Sequence, residues 1–316
     1  MVKTRQAVLV KPGQFEIRNT KLAPKAGQVL VEMQGCGLCT WELNHWIGRL
    51  GKCPQVLGHE AWGVVAAVGP KCDGRVKVGS RVTGLAGKSF ADYYVMPEKH
   101  AMLLADDLDQ QCVPGEPLYC VHNVVRAAHP EIGDSVAVVG CGPMGLWSLQ
   151  ALAHRALQSV IAIDIDPKKL ALARKYGATH TLDARSKDLL DQVKQITCGR
   201  LVDVAVEATG APAGMQTAID ILRGRRPRLV VCSSFKHNIE IDIIKLLGKA
   251  VEVLHAHPGI CANVDDGVRR TEILINNGVF KTDRLISHRW KLADIQQAFQ
   301  TLENRPKDYM KGIVTR

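Results

Sequence analysis

Three features of the sequence predict an α/β chain in two parts, one a doubly wound parallel sheet and the other β-rich. Residues 7 to 100 run in short alternating or apolar segments (QVLVEM, GVVAAVG, SRVTGL, ADYYVM) broken by Gly, Pro and Asp, the period-two pattern of strands. From about Glu116 the rhythm becomes strand, glycine-rich turn, helix, strand: SVAVVG, PMGLWSLQALAHRA, SVIAIDID, PKKLALARKYGA, ATHTLDA. Apolar runs at VDVAVEATG, RLVVCSS and AVEVLHA, with helical patterns between them, bring this sheet to about six strands. The tail from about Gly259 holds two helical stretches (DDGVRRTEILINNG, KLADIQQAFQTLEN) and a short strand, GIVTR, too little for a domain of its own. It is expected to pack back on the first part. The expected boundaries are therefore 1–117 with 259–316 for the β-rich domain and 118–258 for the parallel one.

Bulk properties narrow the function. A chain of 316 residues, 46% of them hydrophobic, suits about two globular domains and argues against disorder. No apolar run approaches the roughly 20 residues of a membrane-spanning helix, and the basic start MVKTRQAVLVKPG lacks a signal-peptide core, so a cytoplasmic protein with no membrane partner is expected. The ten cysteines are scattered, not spaced as a disulfide framework, and reduced thiols are expected. A net charge of +10 is spread along the chain without a nucleic-acid-binding motif, which points away from nucleic acid and slightly toward anionic substrates.

The second part carries a chemical signature. In SVAVVGCGPMG a strand runs into Gly140-x-Gly142-x-x-Gly145 and then an apolar helix. Gly140 allows the tight turn, Gly142 lets backbone approach a pyrophosphate, and Gly145 lets helix pack on strand, with Pro143 and Met144 in the same loop. The next strand ends in Asp164, 19 residues after Gly145, where a carboxylate accepts hydrogen bonds from a ribose 2′-hydroxyl and repels a 2′-phosphate. NAD is therefore expected over NADP, with Lys168, Lys169 and Arg174 downstream placed to soften the preference. Lys169 and Thr209 complete the candidate cofactor residues.

The β-rich part holds a different set. The stretch VLGHEAWGVV (56–65) places His59 and Glu60 inside an apolar run; Cys39 precedes His59 by 20 residues in GCGLCTWELNHW, and Glu116 follows in GEPLYCVHNVV. Sulfur, nitrogen and oxygen donors of this kind bind a catalytic zinc with one position left open. Taken singly, a buried thiol and a satisfied core histidine account for them as well.

Together these residues resemble the zinc-dependent medium-chain dehydrogenase/reductase superfamily, the alcohol and polyol dehydrogenases, over essentially the whole chain. GLCTWE matches the family's zinc-cysteine motif at Cys39, GHE matches at His59 and Glu60, and EPL opens the linking helix with Glu116, a form closest to sorbitol and threonine dehydrogenases. Cys120, one helical turn later, is then the less favoured ligand. The resemblance implies a GroES-like catalytic domain joined to a Rossmann domain, with one zinc on Cys39, His59, Glu60 and Glu116. It implies hydride transfer between NAD and a small secondary alcohol (a polyol, sugar alcohol or hydroxy acid), and a homodimer, or next a homotetramer, paired through AVEVLHA. Whether Glu60 or Glu116 binds zinc at rest stays open. Thr40 matches a family position near the pyrophosphate.

Departures from the family bear on the proton path and the metal count. The usual relay hydroxyl position holds Trp41 and the relay histidine position holds Asn44, with His45 one residue later. Thr40, Glu42, His45 or Glu60 are left as substitutes, and His45 beside aromatic residues reads equally as packing. Only Cys72 and Cys112 lie between His59 and Glu116, so the structural-zinc lobe is missing and one metal per chain is expected. Cys36, in a C-x-x-C with Cys39, reads as packing. Trp41, Trp46, Arg49 and Phe90 are candidate pocket walls. GRRPR (224–228) stands where the family has Pro-Gly-Gly and reads as an anion contact or a solvated turn; His255 and His257 read as cleft-lining or hinge residues. Three rivals remain: a redox-neutral lyase or epimerase that retains NAD, a zinc-free quinone or enone reductase, and a non-catalytic NAD-binding protein.

Overall fold

A computed structural model describes residues 1–108, 110–256 and 258–316, with Ile260 lacking a described side chain. The chain divides into two compact units, Met1–Tyr119 with Asn263–Arg316, and Cys120–Ala262. No helix among the described residues is long and apolar enough to cross a membrane.

The first unit is built on two sheets. Its larger sheet has seven strands: Ile286–Lys291, Lys311–Thr315, Gln28–Gly37, Glu60–Val68, Arg81–Gly84 and Ala101–Leu103 in spatial order, with Tyr93–Pro97 also pairing with Gln28–Gly37. The apolar faces of these strands meet in a core that includes Val31, Met33, Val65, Phe90 and Tyr94, closed by Phe299 of the helix Ile295–Asn304. The short tail strand does return to this unit, pairing Ile313 with Gly37 and Val314 with Cys36. A run of five residues has nothing of its own to bury itself against, and adding to a sheet edge satisfies its backbone.

Six parallel strands form the second unit, in the order His180–Asp183, Ser159–Asp164, Ser135–Val139, Val204–Glu207, Arg228–Val231 and Glu252–His255. Counted in sequence this is 3-2-1-4-5-6, the doubly wound order that reverses beside the first strand. Ser135–Val139 is buried along its whole length, as a central strand covered on both faces must be. The expected fold class, a Rossmann sheet with a GroES-like β-rich domain, is the one observed.

Candidate metal and cofactor sites

Strand register assembles the first site. Gly37 stands opposite Glu60, and a Cβ on Gly37 would lie 1.9 Å from Glu60 Oε2, so only glycine leaves room for that carboxylate. Two residues beyond the end of the strand at Gly37, Cys39 caps the helix Thr40–Trp46, its Sγ accepting from the Trp41 amide at 3.4 Å. The tail strand is in register with the same segment: the Leu38 amide donates to the Gly312 carbonyl at 2.9 Å, which sets Lys311 alongside Cys39. Glu116 enters from the first turn of the helix Gly115–Ala128, whose start is held by the Gly115 amide donating to Thr83 Oγ1 at 2.7 Å.

The result brings Cys39 Sγ, a His59 ring nitrogen and a Glu60 oxygen within 4.8 Å of one another. Glu116 Oε2 stands 3.7 Å from His59 Nε2. The other ring nitrogen, Nδ1, lies 3.0 Å from Glu42 Oε1, which also accepts from the Gly58 amide at 2.5 Å. With Nδ1 facing that buried carboxylate, His59 presents Nε2 to the thiol and carboxylate side. Gly58 serves the same end, since its φ of +102° makes the sharp turn into the strand and a Cβ there would meet the Phe90 amide nitrogen at 2.4 Å.

The electrostatics of this cluster favour a cation. Glu42, Glu60 and Glu116 supply three carboxylates beside the Cys39 thiol, and Lys311 is the ammonium among them, ion-paired through Nζ with Glu60 Oε2. Both members of that pair are almost wholly buried. Burial pulls the Lys311 pKa down, but Glu60 and Cys39 outweigh it and keep the ammonium charged. Burial likewise pulls His59 down, and Glu42 and Glu116 outweigh that too, holding the ring well above its ordinary value. Surroundings that retain a proton so firmly also favour a metal ion at the same nitrogen. Zinc takes sulfur, nitrogen and oxygen donors at about 2.0–2.3 Å, and these groups can close on such an ion with small side-chain movements. The donor set therefore fits.

Other expected residues are placed differently. Thr40 Oγ1 accepts from Arg305. His45 pairs through Nδ1 with Gln55 Nε2 at 3.2 Å and makes an edge contact with Trp41, a residue 45% exposed. Trp46 and Phe90 are not pocket walls: Trp46 stacks on Phe15, and both pack with Phe299 in the core, because a helix of seven residues needs an anchoring face. Cys36 is fully buried, its thiol pushed up by desolvation, as a packing cysteine's is. Lys311 escaped sequence reasoning altogether; its one signal, first place in the last strand, means nothing until the register is known.

In the second unit the glycine turn has its expected form. Gly140 has φ +100°, and a Cβ on Gly145 would lie 1.8 Å from the Gly140 carbonyl oxygen. Gly142 caps the helix Pro143–Leu152 and faces open space where its Cβ would be. Pro143 and Met144 are the first two residues of that helix and partly exposed, leaving its first amides for an anion. Asp164 accepts from the Cys141 amide at 2.6 Å and the Asp166 amide at 2.8 Å, which ties the carboxylate to the glycine turn. Lys169 lies near enough to favour the Cys141 thiolate electrostatically, although burial and Asp164 keep that thiol's pKa high. Thr209 donates its hydroxyl to the fully buried Glu207, which accepts from the Gly210 amide at 3.0 Å as well. Sequence reasoning passed over Glu207, which fixes the loop beside the glycine turn. His255 is exposed on the last strand, and His257 lies outside the described residues.

Comparison with known proteins agrees with this layout. Residues 25–106 match the family model "Alcohol dehydrogenase GroES-like domain" and residues 143–259 match "Zinc-binding dehydrogenase". Sorbitol dehydrogenase of Bacillus subtilis (strain 168) is 26% identical, over 91% of this chain and 90% of its own. "Probable D-xylulose reductase A" of Arthroderma otae is 30% identical, over 68% of this chain and 71% of its own. Among solved structures, an alcohol dehydrogenase zinc-binding domain protein from Burkholderia ambifaria superposes with a TM-score of 0.83 at 25% identity, covering 99% of both chains.

Proposed function

Because this chain belongs to the zinc-dependent medium-chain alcohol and polyol dehydrogenase superfamily, we propose that it transfers a hydride between NAD and a secondary alcohol of the polyol, sugar-alcohol or hydroxy-acid class, using one catalytic zinc. The first unit acts as the catalytic domain and the second as the dinucleotide-binding domain. The observation that carries the reading is His59, locked through Nδ1 by Glu42 with its other nitrogen turned toward more negative charge than Lys311 neutralises. Cys39, His59 and Glu60 form the compact donor set, and Glu116 is the fourth donor beside it.

When bound, the zinc would supply electrophilic polarisation of the alcohol oxygen and the nicotinamide would supply the hydride acceptor. This chain's own residues do the rest. Glu42 holds the imidazole in one tautomer, and Lys311 holds Glu60 at the edge of the donor set. Of the four groups expected to carry the alcohol's proton, the Glu60 carboxylate stands among the donor atoms, while Thr40 is engaged with Arg305, Glu42 with His59 and the Gly58 amide, and His45 with Gln55. Glu60 is therefore the one of these groups placed to accept the alcohol's proton, because Trp41 offers no hydroxyl.

The test is turnover of purified protein on a panel of polyols and hydroxy acids with NAD, followed at 340 nm and by product analysis. Net NADH from at least one secondary alcohol is expected. Product without net NADH, from protein that retains its nucleotide, would replace this reading with the redox-neutral lyase or epimerase, which Trp41 at the relay position favours.

NAD is the proposed cofactor because Asp164, at the end of the second strand, places a negative charge where NADP carries its extra phosphate. Asp164→Ser is expected to narrow the preference for NAD over NADP by about tenfold, through loss of that repulsion and of the ribose hydrogen bond. Dissociation constants for both nucleotides check it, and an unchanged ratio would remove Asp164 from the assignment.

A homodimer is proposed from an apolar patch. Ile243, Ile244 and Leu247, on the helix Ile243–Lys249, are 69%, 76% and 80% exposed, and Val253 on the adjoining edge strand Glu252–His255 is 44% exposed. A second copy pairing along that edge would cover the patch and the unpaired backbone together. Light scattering at micromolar concentration is expected to give twice the chain mass of 34.5 kDa, and a monomer would sink the proposal. All ten cysteines are free, which suits the reducing cytoplasm proposed as its compartment.

A further inference from the structure

The parallel sheet of the second unit has two ends. Its carboxyl end carries Gly140 and the loop after Glu207, which belong to the dinucleotide. At its amino end, just before the strands Val204–Glu207 and Arg228–Val231, an open concavity of about 410 Å³ is lined by Arg200, Arg223, Gly224 and Arg225. It lies a full strand length from the glycine turn, so it is no part of the dinucleotide site.

These arginines are unequally held. Arg223 Nε donates to the buried Asp203 carboxylate at 2.5 Å, and its Nη1 donates to the carbonyls of Gly224 at 2.9 Å and Arg225 at 2.7 Å. Asp203 is anchored in turn by the Ser135 amide at 2.8 Å. Arg200 reaches Asp203 at 3.5 Å with 65% of its side chain exposed. Arg225 has no ion-pair partner among the described residues, while Arg226 and Arg228 are both paired with Glu252. Lys249 is spent on the carbonyls of Ile219, Asp220 and Leu222. Asp134 stands near Asp203 and Arg223 with Glu131 beside it, and Asp220 acts on Lys249, so the surplus cation of this region is Arg225.

The backbone here is unusual as well. Arg225 and Arg226 are consecutive non-glycine residues at φ +65° and +61°. Side chains disfavour that region, and the turn is held by the Arg226 amide on the Lys249 carbonyl at 3.2 Å and the Arg228 amide on the Asp203 carbonyl at 3.0 Å.

We propose that this concavity is a second ligand site, separate from the dinucleotide site, that binds the oligophosphate portion of a small anionic metabolite. Guanidinium forks match phosphate oxygens in pairs. Arg223 is spent on Asp203 and the turn carbonyls and shapes the site, while the exposed Arg225, unpaired among the described residues, and Arg200, held only by a 3.5 Å contact, are the forks that close on the ligand.

The probe is inorganic tripolyphosphate, titrated calorimetrically into the intact protein at low salt with NAD saturating, so that the glycine turn is occupied. Binding is expected to persist under NAD and to weaken by roughly tenfold or more in Arg200→Gln/Arg225→Gln, whose side chains are exposed and leave the buried Asp203 pair intact. Gly224→Glu is expected to abolish it, since a side chain there meets no atom within 4 Å and puts a carboxylate into the concavity. Unchanged melting temperatures in both variants keep folding out of the comparison. ATP under the same conditions separates the sources: equal affinity assigns a bare phosphate chain, and tighter binding assigns a nucleotide. Displacement of tripolyphosphate by NAD, undiminished binding in either variant, or no binding at millimolar concentration would overturn the proposal.

Discussion

Cys39→Ala is expected to purify without the roughly one zinc per chain proposed for the wild type, and without measurable hydride transfer. The reason is geometric as well as chemical. Cys39 is the sulfur donor of the group, held two residues beyond the end of a strand by a helix cap that makes its position independent of the metal. Glu42→Gln provides the graded counterpart. It preserves shape at the Gly58 amide but removes the charge facing His59 Nδ1, and zinc affinity should fall by about 10–100-fold, as for other partners that orient a metal-binding histidine. Elemental analysis of all three proteins, followed by chelator competition, reads both effects. Zinc retained in Cys39→Ala, or absent from every protein, would sink the donor assignment and leave a zinc-free reductase or a nucleotide-binding protein.

Lys311→Met should destabilise the first unit by about 3–5 kcal/mol, because it strands the Glu60 carboxylate in a buried site without its cation. The double variant Glu60→Gln/Lys311→Met should recover most of that loss, since a neutral pair carries no desolvated charge. Denaturant melts of the wild type, the two single variants and the double variant, all treated with chelator, give the coupling directly. Additivity within about 0.5 kcal/mol would show that the two groups do not act on each other and that the ion pair contributes nothing to this unit. The same cycle tests the mechanism, for if Lys311 sets how firmly Glu60 is held, the single variant should also change zinc affinity.

Much of the chemistry was legible in one dimension. The turn from Gly140 to Gly145 is local: its glycines are required by contacts within a few residues, so the motif announces itself in the sequence. Asp164 ends the very next strand, and its tie to the Cys141 amide is the contact such spacing implies. Cys39, His59, Glu60 and Glu116 could be read as a set by their donor types and by resemblance to a family, although no single residue among them was decisive. Trp46 and Phe90 were misread as pocket walls because proximity in sequence to Cys39, or to a loop, says nothing about which way an aromatic side chain faces.

By itself, then, the sequence determined the two-part architecture, the strand order's doubly wound half, and the residue types available for a nucleotide and a metal. Periodicity of apolar residues and glycine spacing are local properties, and local properties survive in a string of letters. Tertiary structure decided which groups meet. Lys311 reaches Glu60 across 251 residues only because a five-residue tail strand pairs beside Gly37, and Arg200 joins Arg223 only because their loops precede neighbouring strands. Such pairings follow from strand register, where a shift of one residue turns every side chain to the opposite face. That register is set by the packing of the whole unit.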